Sequence, residues 1–330
     1  MSDTRMTPGA VPALQPACDE RPLLSVVCPM FNESAVLDAF FGTLSGVIDH
    51  LAISAEFVCV NDGSQDDTLQ RLRAWQQRDA RIRVIDLSRN FGKEAALSCG
   101  IDHALGQAVV PMDADLQDPP ELIGEMLAVW QQGFDVVLAQ RTDRSSDSLL
   151  KRVTADWFYR LHNWIAEAPM PPNVGDFRLM DRRVVEALKA LPERRRFMKG
   201  LFAWVGFRQA TIPYARATRA AGRTKFSGWK LWNLALEGIT SFSTVPLRVW
   251  TYLGGVIALM AFVFGLFVVG HTLIYGRDWP GYASLITVVS FLGGVQLIGL
   301  GILGEYLGRI FAETKGRPVY IVRERYDDAS

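Results

Sequence analysis

Two stretches near the carboxyl end of this 330-residue chain restrict its possible folds more than any other feature. Val249 to Gly276 runs for 28 residues, and Trp279 to Gly304 for 26, without one Asp, Glu, Lys or Arg. A helix of about 20 apolar residues crosses the hydrocarbon core of a bilayer, and a core helix of a soluble domain needs neither this length nor this uniformity. The pattern predicts two spans joined at Arg277-Asp278, with Trp250, Tyr252, Tyr275, Trp279 and Tyr282 near the interfaces that favour amphipathic rings. Lys225, Lys230 and Arg248 precede the first span, and Arg309, Lys315, Arg317, Arg323 and Arg325 follow the second. The positive-inside bias therefore predicts cytoplasmic flanks on both sides of the hairpin.

The chain ahead of the spans has a different rhythm. From Leu23 onward, β-rich runs at Leu23 to Cys28, Glu56 to Val60, Arg83 to Leu87, Ala108 to Met112 and Phe134 to Ala139 alternate with helical patterns. Those patterns lie around Ser34 to His50, Asp66 to Arg78, Lys93 to Leu105 and Pro120 to Gln132. Nearly unbroken apolar strands alternating with amphipathic helices predict an α/β fold, a mostly parallel sheet covered on both faces. Residues 1–22 contain no apolar core like that of a signal peptide and are expected to form a flexible tail. Lys+Arg and Asp+Glu balance at 35 each, which argues against a nucleic-acid partner. Cys18, Cys28, Cys59 and Cys99 have no metal-ligand spacing and read as reduced thiols of a cytosolic domain.

In sheets of this kind ligands bind beyond the carboxyl ends of the strands. There the polar motifs fall: Pro29-Met30-Phe31-Asn32-Glu33 after the first strand, Asn61-Asp62-Gly63-Ser64 after the second, Arg89-Asn90-Phe91-Gly92-Lys93 after the third, and Asp113-Ala114-Asp115 after the fourth. A nucleotide site is the simplest common explanation. Each motif also has a purely structural reading. Asn61 to Ser64 makes a good turn, and Asn32-Glu33 a helix start. Lys93 differs, because a cation in a first helical turn opposes the helix dipole unless an anion is near. Asp118-Pro119-Pro120-Glu121 reads as helix initiation, which leaves Asp118 outside the chemistry.

Beyond the fifth strand the pattern turns irregular and cation-rich. Arg141 is followed by a helical stripe within Ser148 to Ala166, by Gly175-Asp176-Phe177-Arg178, and by the loop Arg219 to Lys225. Cations beside Gly in a loop suit phosphate, although for any one of these arginines an ordinary surface position is the favoured reading. Trp229, Trp232, Leu236 and Ile239 recur at helical spacing, which fits either a helix lying in the membrane interface or one packed on the soluble domain.

Asn32-Glu33, Asn61 to Ser64, Arg89 to Glu94, Asp113 to Pro120 and the two spans ending in Gly304-Glu305-Tyr306-Leu307-Gly308-Arg309 together resemble the polyprenyl-phosphate glycosyltransferases of glycosyltransferase family 2. The group includes bactoprenol glucosyltransferases, dolichyl-phosphate mannose synthases and aminoarabinose transferases, and the resemblance covers residues 23 to 320. It implies a GT-A domain over 23–225, a juxtamembrane helix over 226–246, a transmembrane hairpin over 247–311 and a cytoplasmic tail over 312–330. It implies further that Pro29, Asn32, Glu33, Asp62, Lys93 and Asp113 bind the donor nucleotide, and that Asp113 and Asp115 hold Mg²⁺ or Mn²⁺. By the same resemblance, Gln117, Arg141, Arg178, Arg219 and Lys225 would take the acceptor phosphate and sugar diphosphate, with Asp113, Asp115 and Arg178 catalytic. Arg223-Thr224-Lys225 departs from the Glu-Ser-Lys of many relatives.

The implied reaction is inverting transfer of a hexose from a UDP-sugar, glucose first, to undecaprenyl phosphate at the cytoplasmic face of a bacterial inner membrane. GDP-mannose, UDP-GlcNAc or UDP-aminoarabinose donors are the alternatives. A lipid phosphate is already anionic at neutral pH, so the chemistry needs electrostatic stabilisation more than a base. Two spans are too few to enclose the channel of a processive polysaccharide synthase, and the intact acidic motif argues against a non-catalytic binding protein. Gly265, Gly270, Gly293, Gly294, Gly299 and Gly301 would permit close helix packing in a homo-oligomer.

Overall fold

The computed structural model describes residues 21–142, 174–194, 196–214, 245–275 and 281–326. The expected N-terminal tail as far as residue 20, the stripe within Ser148 to Ala166, the loop carrying Arg219, Arg223 and Lys225, and the juxtamembrane helix up to residue 244 lie outside the described residues.

The five expected strands form where the apolar runs stand: β1 (Leu24–Met30), β2 (Ala55–Asn61), β3 (Ile82–Leu87), β4 (Ala108–Pro111) and β5 (Val136–Arg141). Between them lie α1 (Leu37–Leu51), α2 (Thr68–Gln76), α3 (Lys93–His103) and α4 (Leu122–Trp130). Three further strands complete the sheet: β6 (Val174–Asp181), β7 (Gln209–Tyr214) and β8 (Val322–Tyr326). Two helices, α5 (Arg182–Ala190) and α6 (Met198–Trp204), connect β6 to β7.

The strand order is β7-β5-β6-β4-β1-β2-β3-β8. The pairs β1/β2, β1/β4, β2/β3 and β5/β7 are parallel, whereas β6 runs antiparallel to β4 and β5, and β8 antiparallel to β3. Alternation along each strand divides the core between the two faces. Val26, Cys28, Phe57, Val84 and Val110 pack with Phe40, Phe41, Leu72 and Met126 from α1, α2 and α4. Val27, Val58, Ile85 and Val109 pack on the other face with Leu97 and Ile101 of α3 and with Val184, Leu188 and Leu201 of α5 and α6. Cys28, Cys59 and Cys99 are buried free thiols, as expected.

The apolar stretches form α7 (Val245–Tyr275) and α8 (Tyr282–Thr314). Both are long and apolar enough to cross a membrane, over Val249–Val268 and Phe291–Thr314. Where they meet, the Trp250 indole fills the space that a side chain on Gly299 would need.

The segment 312–330, expected as a tail, is corrected by β8. Val322–Tyr326 closes the β3 edge of the sheet, with Tyr326 opposite Val84 and Glu324 opposite Asp86. Ser88 N donates to Ile321 O, the Tyr320 hydroxyl donates to Asp102, and the Arg73 guanidinium lies 4.6 Å from the centre of the Tyr326 ring. These contacts satisfy an edge whose N–H and C=O groups would otherwise be open.

Candidate active site

The carboxyl ends of β1, β2, β3 and β4 share one edge of the sheet, so their four polar turns converge. After β1, Asn32 adopts a left-handed conformation (φ 56). Its backbone N–H donates to Ser64 Oγ at 3.0 Å, and its side-chain carbonyl accepts from Gln65 N at 2.8 Å. Glu33 N donates to Thr68 Oγ1 at 2.9 Å. The first motif is thereby joined to the second motif and the residues that follow it by bonds between backbone amides and side-chain oxygens. Gly63 also has positive φ (63), and a Cβ there would lie 2.5 Å from the Arg89 carbonyl carbon, so this turn needs glycine to pack against the third motif.

Asp62, 3% exposed, accepts from Phe91 N at 2.7 Å and Gly92 N at 2.9 Å. Burial raises its pKa in spite of those two bonds. Its carboxylate pins the loop from which α3 begins and delivers Lys93. The Lys93 ammonium lies 2.8 Å from both oxygens of Asp113 and 2.9 Å from Asp176. Burial opposes the charge of Lys93, but Asp176 and Asp113 outweigh it and lift its pKa above the ordinary lysine range. The anion that a cation in this first turn calls for is supplied here by the chain itself.

Asp176 is the residue that the strand-end rule misses. The strand β6 runs against its neighbours, so its amino end, rather than its carboxyl end, reaches the site edge. Burial opposes ionisation of Asp176, but Lys93, Lys199 and Arg178 hold its pKa below the ordinary range. Its Oδ1 is buried without a hydrogen-bond partner. Alternation along Asp176-Phe177-Arg178, with Phe177 in the core, was the signal for a strand. Arg178 is 6% exposed, stacks 4.2 Å from the centre of the Phe202 ring and donates to Gly175 O at 2.7 Å. Burial lowers its pKa to about 10. Its charge helps to hold Asp176 ionised, and its guanidinium is buried.

Asp118 is also corrected. Helix α4 begins at Leu122, and Asp118 instead lines the cleft with Pro29, Lys93, Asp113, Asp176 and Phe177. It accepts from the Tyr214 hydroxyl and lies 3.8 Å from Arg141, whose Nε donates to the same hydroxyl at 3.1 Å. Arg141 is thereby fixed beside the acidic turn. Glu94, the neighbour of Lys93, is pushed up to about 7 by burial and then by the charge of Asp176.

Within the acidic turn, Asp115 accepts from Gln117 N at 3.2 Å, and Leu116 takes a left-handed φ of 54. A non-glycine residue in that region marks a constrained turn. Among the described residues no three His, Cys, Asp or Glu side chains converge as a metal cage. Mg²⁺ and Mn²⁺ need no such cage, since one or two carboxylates plus substrate phosphate and water complete their shell. The buried Gln117 Oε1, without a partner, is a further oxygen donor in the same turn. The donor set therefore fits such a cation.

Glycosyl transferase family 2 matches residues 25–189, and the GtrB C-terminal hairpin matches 245–310. An uncharacterised glycosyltransferase of Synechocystis is 54% identical over 301 residues, 91% of this chain and 95% of its own. This chain belongs to glycosyl transferase family 2. The transferase is similarly close to a prophage bactoprenol glucosyl transferase homologue of Escherichia coli K12, at 51% identity over 91% of this chain and 98% of that one. The bactoprenol glucosyl transferase of Shigella phage SfII is 52% identical over 92% and 98%. The sheet described above is the transferase's GT-A-like domain, and its two apolar helices make it membrane-associated.

Proposed function

We propose that the transferase moves glucose from UDP-glucose to a polyprenyl phosphate, undecaprenyl phosphate in bacteria, with inversion at the anomeric carbon. The observation that carries this reading is its similarity, at 51 to 52% identity, to bactoprenol glucosyl transferases over 98% of their length. A phosphate oxygen of the lipid bonds to the anomeric carbon as the bond from that carbon to UDP breaks, and UDP leaves with the electron pair. The acceptor is anionic at neutral pH, so no side chain has to remove a proton from it.

Asp113 and Asp115, with Gln117 beside them, would hold Mg²⁺ or Mn²⁺, which neutralises the departing diphosphate when bound. Lys93 and Arg141 flank the same turn with fixed positive charge, which needs no reorganisation as negative charge builds on the departing diphosphate. Asn32, Glu33 and Asp62 frame the base and ribose region with Pro29 at its floor. Arg178 helps to hold Asp176 ionised, and Arg219 and Lys225 receive the acceptor phosphate. The pairing of β3 with β8 puts both ends of the α7–α8 pair beside one sheet, which supports a hairpin with both flanks cytoplasmic. Gly265, Gly270, Gly293, Gly294 and Gly301, where an added Cβ would meet nothing within 4 Å, suit close helix packing in a homo-oligomer, whereas Gly299 already packs against Trp250 of its own chain.

The test is incubation of membranes carrying the transferase with labelled UDP-glucose, undecaprenyl phosphate and Mg²⁺ or Mn²⁺. A metal-dependent, organic-soluble labelled product is expected. No such product from any of a panel of UDP- and GDP-sugars would sink the proposal. Asp115→Asn should lower turnover by at least about 100-fold, as expected when a main charge-stabilising group is removed, while membrane insertion stays intact. Activity retained within tenfold would remove the metal role.

A further inference from the structure

The strand β8, which follows the two apolar helices, reaches the donor side of the site through a continuous set of hydrogen bonds centred on the buried Asp86. Arg323 of β8 places Nη1 3.3 Å from Asp86 Oδ2 on β3 and donates Nη2 to Ser88 O at 2.6 Å. Asp86 is 1% exposed, and its other oxygen accepts from Asn61 Nδ2 at 2.7 Å. A carboxylate only accepts, so it fixes the Asn61 amide with its NH₂ toward β3 and its carbonyl toward the turn. That carbonyl accepts from Ser64 N at 3.3 Å, and Ser64 Oγ in turn accepts from Asn32 N. The contact with Ser88 O holds the start of the loop whose Phe91 and Gly92 amides engage Asp62. Arg323 thus braces two of the four strand-end motifs from a residue more than 200 positions further along the chain.

We infer that Arg323 and Asp86 are positioning residues for donor binding: the last strand orders the Asn61 to Ser64 turn and the 88–92 loop, and so couples the seating of the membrane hairpin to nucleotide affinity. The inference rests on the reading of that edge as the donor site. Two of its features decide against a merely structural strand. The Arg323 side chain is 57% exposed, so its burial adds little to the core, yet its guanidinium is divided between a buried carboxylate and a backbone carbonyl. Moreover β8 pairs irregularly with β3, the register shifting between Asp86 and Leu87, the position at which Arg323 reaches inward.

The experiment uses the full chain in nanodiscs, comparing wild type with Arg323→Ala and Arg323→Lys. In Arg323→Ala, UDP affinity and donor KM are expected to worsen about fivefold, with kcat at saturating donor and acceptor KM within twofold of wild type. Arg323→Lys, which keeps a cation opposite Asp86, should restore most of that loss. Hydrogen exchange without ligand should quicken at Ser64 and Gln65 in Arg323→Ala and remain slow in β1. Unchanged UDP affinity, an equal loss in donor and acceptor KM, or a general loss of protection across β1 and β2 would each overturn the inference. If wild type bound no UDP, the donor-site reading would fail, and the exchange measurement would still judge the brace: faster exchange at Ser64 supports it, and unchanged exchange refutes it.

Discussion

Asp62→Asn probes the site at the point where backbone and chemistry meet. The native carboxylate accepts from two consecutive amides, Phe91 N and Gly92 N. An asparagine of the same shape keeps one carbonyl oxygen and turns an NH₂ group toward the other N–H. One charge-assisted hydrogen bond is lost, at roughly 1.5–3 kcal/mol, and one donor is left facing a donor. Part of this is offset, because burial already disfavours the charge on Asp62. The net cost is about 2 kcal/mol, borne by the 89–93 loop and not by the sheet beneath it. If the donor needs that loop ordered, UDP affinity should fall about 30-fold. Calorimetric titration with UDP, paired with hydrogen exchange at Phe91 and Gly92, measures both parts. Binding within twofold of wild type, with both amides equally protected, would refute the reasoning.

Glu94 gives a pH prediction. Its folded pKa of about 7 lies above its ordinary 4.5, so the stability associated with its neutral form is complete below about pH 4.5 and is lost as the pH rises through about 7. Glu94→Gln should therefore flatten the decline in stability between pH 5 and 8 by up to about 3 kcal/mol, read from denaturation at a series of pH values, and an unchanged slope would count against it. Two glycines form a contrasting pair. Gly63→Ala combines a left-handed φ with backbone 2.5 and 2.6 Å away and should cost more than about 2 kcal/mol, whereas Gly46→Ala, in α1 with nothing within 4 Å, should stabilise by roughly 0.5–1 kcal/mol. Thermal denaturation of the two variants should move in opposite directions.

The parts of the fold legible in the sequence are those where period and burial agree. The strands β1 to β4 are apolar on both faces, and each is followed by a helix with its own stripe, so alternation alone locates them to within a residue or two. The acidic turn at Asp113 and Asp115 and the Asp62 turn were legible because parallel strands deliver their carboxyl ends to one edge. Asp176 was legible only as a carboxylate beside the cation-rich segment; its place next to Lys93 was not, because β6 reverses direction, and nothing local in Val174–Asp181 reports which neighbour it will pair with. Asp118 was misread for a related reason. Its Pro-Pro context is a sound helix-start signal, but its partners, Arg141 and Tyr214, come from strands β5 and β7, far along the chain. β8 eluded the reading because Val322–Tyr326 is charged and only partly covered, the composition expected of a sheet edge as much as of a tail.

The pairing of β3 with β8 also sets an order of events during synthesis. The first seven strands emerge before either apolar helix, so they must collapse with one flank of the sheet still open. With the two helices crossing the bilayer as a hairpin, as proposed, that flank can be sealed only after both have been made and the chain has returned to the side it left. Until then β3 is an unpaired edge, the kind of surface that recruits other chains. A protein that lost one of the two helices would deliver the sealing strand to the opposite compartment. Its catalytic residues would all be present, and its sheet would remain permanently unfinished.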